Sequence, residues 1–277
     1  MTSTPFVAQS PPRIEPYEVR LSRDPRWALS EGSRHFDERS AVFDALRAIA
    51  RRLDELGIPY AVVGGMALFR HGLRRFTEDV DILVTKADLK TVHEKLEGLG
   101  YLPPHRMSRH LRDTRHGVRI EFLTTGGYPG DGKPKPVAFP DPGAVSFESD
   151  GIRYVNLETL VELKLASGMT SPGRLRDLSD VLDLTRQLGL GEDFADRLNP
   201  YVREKFLELW RESRTRYVAL WESGRDSPAT LEAMRRAGVQ VEQTANADEV
   251  LLTTTDAEIA RRFDLVDEQE FWADRGE

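Results

Sequence analysis

The sequence predicts an α+β fold, a mixed sheet with helices followed by a helical carboxy-terminal domain. Three observations carry that prediction. Short apolar runs with β-branched residues (60–63, 80–84 and 118–123) alternate with stretches whose apolar residues recur every three or four positions. After Val155 the helical period takes over. With 39% hydrophobic and 31% charged residues, the chain has enough apolar matter for a core and enough charge for a solvated surface. No internal repeat is present.

The elements follow in order. Residues 1–37 are rich in Pro, Ser and Arg without a sustained period, and read as an extended arm. Val42, Phe43, Leu46, Ile49, Leu53 and Leu56 form one apolar stripe, hence a helix, which Gly57 ends. Residues 60–63 read as a strand, broken by Gly64-Gly65, and 66–71 as a short helix closed by Gly72. Val80, Ile82 and Val84 alternate with Asp79, Asp81 and Leu83 in a second strand. Residues 87–99 are an amphipathic helix. Segments 107–113 and 117–123 flank Arg115-His116-Gly117 as a hairpin. Residues 126–143 are dense in Gly and Pro and read as a loop or linker. Short strands are expected at 145–147 and 152–155.

Asn156 is a fitting N-cap for a helix through Leu165. Pro172-Gly173 interrupts, and Leu175, Leu178, Val181, Leu182 and Leu188 give the next helix. Residues 200–222 read as one long helix, with Phe206, Leu209, Trp210, Tyr217 and Trp221 near helical spacing. The end adds a strand (250–253) and a helix (256–263). The expected domains are therefore an arm (1–37), a catalytic domain (38–155), a helical domain (156–223) and an acidic segment (224–277).

Composition narrows the chemistry. The chain has 277 residues, a net charge of −7 and no cysteine, which excludes disulfides, thiolate zinc sites and cysteine nucleophiles. The charge is uneven: residues 240–277 hold eleven acidic and three basic side chains, and the remainder is close to neutral. An acidic whole argues against non-specific nucleic-acid binding but leaves room for a local basic groove. No apolar run reaches the ~18–20 residues needed to cross a bilayer. The start (MTSTPFVAQSPPR) lacks the basic and apolar blocks of a secretion signal, so a cytoplasmic protein without a membrane partner is expected.

The informative stretch is Gly64-Gly65 followed by Asp79-Val80-Asp81. Side chains alternate along a strand, so Asp79 and Asp81 share one face, while Val80 and Ile82 face the core. Two adjacent carboxylates repel, and a hard divalent ion that wants oxygen ligands resolves the conflict. Glu121, between Ile120 and Phe122, offers a third carboxylate from a neighbouring strand. Three such groups can hold two metals roughly 3.5–4 Å apart for in-line displacement at phosphorus. The glycine pair offers unhindered backbone N–H groups to phosphate oxygens.

Residues 64–84 (GGMALFRHGLRRFTEDVDILV) resemble the signature of the nucleotidyltransferase superfamily, and His71-Gly72, Arg75 and Thr77 with the aspartate pair look most like AbiEii-type and MenT-type toxins. The resemblance spans roughly residues 40–190 and implies a polymerase-beta-like fold, Mg²⁺ or Mn²⁺ as cofactor, and an NTP substrate. It assigns Asp79, Asp81 and Glu121 as metal ligands and catalytic groups, with Glu121 as second-metal ligand or base. Gly64, Gly65, Arg75 and Lys164 become nucleotide-binding residues. Lys164 in VELKLASG matches the lysine motif, and Arg174, Asp177 and Asp180 in RLRDLSDV match a later Arg/Asp motif, in which Asp180 is favoured as the last catalytic carboxylate. One departure is Met66, standing where many active members carry a serine that touches the triphosphate.

Bland alternatives stand beside these. Arg74 and Arg75 hold phosphate or pair with Glu78. The run from His105 to Arg112, continued by Arg115, His116 and Arg119, is a solvated hairpin or a groove for an RNA acceptor. His71 reads as a packing residue. The function that the resemblance implies is transfer of an NMP to an acceptor hydroxyl, on a tRNA 3′ end or a protein side chain, by the toxin of a toxin–antitoxin system with an antitoxin partner. The competing classes are a degenerate, non-catalytic binding module and an aminoglycoside-type modifier. The acidic segment 240–277 is expected to cover the basic hairpin or to dock a partner.

Overall fold

The computed structural model describes residues 14–105, 108–223 and 226–275. The chain forms two compact units, 1–209 and 210–277. The first opens with α1 (Tyr17–Arg23) and α2 (Pro25–Phe36), so 17–36 is helical where the sequence predicts an extended arm. The cause is local. The Asp24 carboxylate accepts from the Trp27 N–H at 3.0 Å, and Pro25 fills the first helical position with its fixed φ. Tyr17 is fully buried, and its hydroxyl donates to the buried Glu31, which also accepts from the Ala41 N–H at 2.9 Å. Residues 1–13 of the predicted arm lie outside the described residues.

Ser40 caps α3 (Ala41–Glu55), whose Val42, Leu46, Ile49 and Leu53 are wholly buried, as the stripe predicts. Then come β1 (Ala61–Val63), α4 (Gly64–Arg70), β2 (Asp79–Val84) and α5 (Lys86–Leu96), the last capped by Thr85. β3 (Tyr101–Leu102), β4 (His110–Asp113) and β5 (Arg119–Thr124) follow, and a long loop leads to α6 (Pro142–Val145), β6 (Ser146–Ser149) and β7 (Ile152–Val155). α7 (Leu157–Thr170) starts at its Asn156 cap, and α8 (Leu175–Leu188) ends on left-handed Gly189.

Seven strands form one mixed sheet in the order β3-β4-β5-β2-β1-β7-β6. β2 and β5 run parallel, as do β1 and β7, while the other neighbours are antiparallel. Strict alternation along β5 and at the start of β2 buries Val80, Ile82, Ile120 and Phe122 on one face and turns their neighbours to the other.

α9 (Pro200–Ser213) carries the boundary between the units. The predicted helix over 200–222 stops there, and 217–222 is a strand, β8 (Tyr217–Glu222). Aromatic and β-branched residues at Tyr217, Val218 and Trp221 satisfy period 2 as well as period 3.6, and pairing with a later strand decides the outcome. The second unit continues with α10 (Pro228–Arg236), β9 (Gln240–Gln243), β10 (Glu249–Thr254), α11 (Ala257–Arg262), β11 (Val266–Asp267) and α12 (Glu268–Arg275). Its four-stranded antiparallel sheet has the order β11-β8-β10-β9. Met234, Val239, Leu252, Ala260 and Leu265 form its core. The carboxy-terminal part is thus not purely helical, and 240–277 belongs to a folded unit. Among the described residues, no helix is long and apolar enough to cross a membrane.

Candidate active site

The site is built on the polar face of the first sheet. Parallel pairing of β2 with β5 sets Asp79 beside Arg119 and Asp81 beside Glu121, and antiparallel pairing of β4 with β5 sets His110 beside Glu121. Paired residues point to the same face, so Asp81 and Glu121 are lateral neighbours and Asp79 lies two positions along. Val63, the partner of Asp81 on the other side, is the last residue before α4. Gly64 has φ +62°, and a Cβ there would sit 1.9 Å from Asp81 Oδ2. A Cβ on Gly65 would sit 2.6 Å from Thr77 Oγ1. The glycine pair therefore lets α4 close onto the aspartate strand, a steric role the sequence reading did not include.

Two adjoining cavities open on this face, of about 470 and 480 Å³. Gly64, Asp81, Lys164, Arg174 and Asp177 line both. Glu121, Arg109, Ser167 and the loop around Tyr128 line the first; Asp79, Gly65, Arg75, Thr77 and Arg176 line the second. The predicted set of Gly64, Gly65, Arg75, Asp79, Asp81, Glu121 and Lys164 is therefore brought together. Asp180 touches this set through Lys164 and Arg75, but it is 3% exposed and lines neither cavity.

Asp180 instead supports the site from below. Lys164 of α7 is buried, and its ammonium donates to Asp177 Oδ1 at 2.8 Å and Asp180 Oδ2 at 2.6 Å. Arg75 donates to the same Asp180 oxygen at 3.0 Å. Asp177, one helical turn earlier on α8, is the carboxylate that reaches the cavities, and Ser167 donates to it at 2.7 Å. Burial works to raise the Asp177 carboxyl, but Lys164, Ser167 and Arg174 overcome it and hold the group below its ordinary value.

Asp81 sits in the opposite balance. Burial first, then Asp79 and Glu121, push its carboxyl up to about 7, against the pull of Lys164 and Arg119. Such a crowd of oxygen donors, short of positive charge, fits a hard divalent cation. Asp79 is otherwise engaged: Oδ2 accepts from Arg119 at 2.6 Å and Oδ1 from Thr77 at 3.1 Å. Among the described residues no three acidic or histidine side chains converge as a ready ligand set.

The wall formed by Gly127, Tyr128, Pro129, Gly130 and Phe139 was legible as a loop or linker, not as part of the site. It is pinned by the buried side chain of Lys135, which donates to the Pro129 carbonyl at 2.6 Å, Asp131 at 2.6 Å and Thr170 at 3.0 Å. A Cβ on Gly130 would meet Thr170 Oγ1 at 2.3 Å. A lysine amid glycines and prolines was the available signal. Of the basic run, Arg109 reaches the cavity, while Arg106 and Met107 lie outside the described residues.

Residues 13–216 match the profile of a family described as uncharacterised nucleotidyltransferases. The chain belongs to that family. No curated protein matches this nucleotidyltransferase family member. Among solved structures, it is similar to JHP933 from Helicobacter pylori, at 19% identity and TM-score 0.38, over 62% of this chain and 88% of that one. ANT(2″)-Ia in complex with adenylyl-2″-tobramycin gives 12% and 0.37, over 58% and 91%. An antigenic nucleotidyltransferase-like protein from Paracoccidioides brasiliensis gives 18% and 0.36, over 52% and 75%. The family assignment rests on the sequence profile, which spans every cavity residue named above.

Proposed function

We propose that this family member is a metal-dependent enzyme that moves an NMP from an NTP to an acceptor hydroxyl. The observation that carries the reading is the in-register pair of Asp81 and Glu121, facing a cavity that also holds Lys164. Asp81, Glu121 and Asp79 would hold Mg²⁺ or Mn²⁺. When bound, the ion would neutralise triphosphate charge and make the α-phosphorus easier to attack.

The chain's own residues do the rest. Glu121 takes the proton of the acceptor hydroxyl, whose oxygen bonds to the α-phosphorus as the bond to pyrophosphate breaks. Lys164 has three N–H donors and spends two on Asp177 and Asp180, which leaves one for a phosphate oxygen. Arg174, more than half exposed and lining both cavities, adds charge where the leaving group develops its own. Asp180 and Arg75 fix the height of Lys164. Leu123, Phe139, Leu160 and Leu163 give the first cavity an apolar side beside Tyr128, suited to a flat base.

Arg109 and Arg174 on the cavity lining are the side chains that would meet a polyanionic acceptor such as a tRNA 3′ end. A protein hydroxyl is the alternative acceptor, and a toxin with its antitoxin is the biological setting that the motif resemblance supports. A second reading is a non-catalytic binding module, favoured by Met66 and by the closed pair of Arg119 and Asp79.

Incubation with each α-labelled NTP, Mg²⁺, total tRNA and lysate tests the reading. Label is expected on RNA or protein, and Asp81→Ala is expected to abolish it while the fold persists. No transfer from any NTP, or equal transfer by the variant, would sink the enzyme assignment.

A further inference from the structure

We propose that Arg119 is a built-in cation surrogate: its guanidinium holds Asp79 in the metal-free protein and must release it before a divalent ion is held there. The inference rests on the nucleotidyl-transfer reading and deepens it. Arg119 Nη2 lies 2.6 Å from Asp79 Oδ2 and 3.7 Å from Glu121 Oε2, so one guanidinium reaches two of the three acids assigned to the metal. The contact is fixed by register, since Arg119 on β5 is the direct partner of Asp79 on β2. Asp79's other oxygen accepts from Thr77, so each oxygen of the carboxylate carries one donor.

The pair has the properties of a releasable contact. The Arg119 side chain is 42% exposed, so it can swing to water without emptying a packed volume. Exposed ion pairs are weak, on the order of 1 kcal/mol or less, and a doubly charged ion at the same oxygens competes well with a single diffuse charge. By contrast, Lys164 is buried and shared between Asp177 and Asp180, so it is a fixed charge. A guanidinium does not deprotonate in proteins, so Arg119 itself stays charged whether or not an ion is bound. It also damps the mutual repulsion of Asp79, Asp81 and Glu121 while no ion is present.

Calorimetric titration of the full nucleotide-free chain with Mn²⁺ tests this without reference to turnover. Three proteins are compared: wild type, Arg119→Met and Arg109→Met. Arg109 lines the cavity but is not paired with Asp79, so its variant reports the effect of net charge alone. The expected result is Mn²⁺ affinity about fivefold higher for Arg119→Met, the scale of one exposed ion pair, and changed less than about twofold for Arg109→Met. The melting temperature of Arg119→Met should fall without Mn²⁺ and rise more than that of wild type on adding it. Equal gains in both variants, or unchanged or weaker binding by Arg119→Met, overturn the surrogate while the transferase reading stands. No Mn²⁺ binding by either wild type or Arg119→Met removes the metal-dependent reading and the surrogate together.

Discussion

Asp81 sets function against stability at a single side chain. It is flanked by Asp79 and Glu121, faces Gly64 too closely to relax outward, and has its carboxyl pushed up to about 7. Without a bound cation the folded chain carries the cost of burying this carboxylate and the repulsion of its neighbours, and the unfolded chain does not. Asp81→Asn keeps the shape and removes one charge, so the metal-free variant should melt a few degrees higher than wild type, roughly 1 kcal/mol of stability. The same substitution should abolish transfer. A melting temperature unchanged or lowered, measured in chelator, would show that Asp81 is compensated already. Lys164 has the reverse logic: its removal leaves the buried Asp180 with Arg75 as its charge partner and Asp177 with Arg174, so loss of activity in a Lys164 variant says little unless folding is checked. The shared face of Asp79, Asp81 and Glu121 was legible because strand alternation fixes it. The partition of Asp177 to the cavity and Asp180 to the support was not, since both lie on one helix within a turn and only the packing of α8 on α7 separates them.

Between elements, His71 couples the end of α4 to the end of β7. Its Nε2 donates to the Val155 carbonyl at 2.8 Å, and burial holds its pKa below the ordinary 6.5. The unfolded chain therefore binds a proton more readily than the folded one. The stability this gives is present above pH 6.5 and is lost as pH falls through the folded value. His71→Gln should flatten the fall in unfolding free energy between about pH 7 and pH 5, and an unaltered slope would exclude His71 as a contributor. Element type was read well where a period was long and single, as in α3, and poorly where a short signal decided. Asp24-Pro25 is a helix start that composition masked, and Tyr217 to Trp221 fits two periods at once. The adjacency of β5 and β2 was expected from the third carboxylate, but the rest of the strand order was not legible, because the pairing of β7 with β1 joins residues far apart in the chain.

On the scale of the whole chain, chemistry and charge are segregated. Every cavity residue lies in the first unit, and the family match ends at residue 216, one residue before β8 opens the second sheet. The second unit has its own core of Met234, Val239, Leu252, Ala260 and Leu265, and contains the strongly acidic stretch 240–277. A self-contained core implies that its removal costs the first unit no buried cluster of its own. A chain ended after Arg216 keeps all of α9, and should remain folded and bind NTP with Mg²⁺ within about twofold of the full protein, by calorimetry and circular dichroism. Transfer to RNA is the second readout of the same pair of proteins. If the acidic unit acts on the acceptor, the shortened chain changes its transfer to RNA while NTP affinity holds. Collapse of NTP binding on truncation would instead make the second unit part of the nucleotide site, and the division of labour drawn from the two cores would fail.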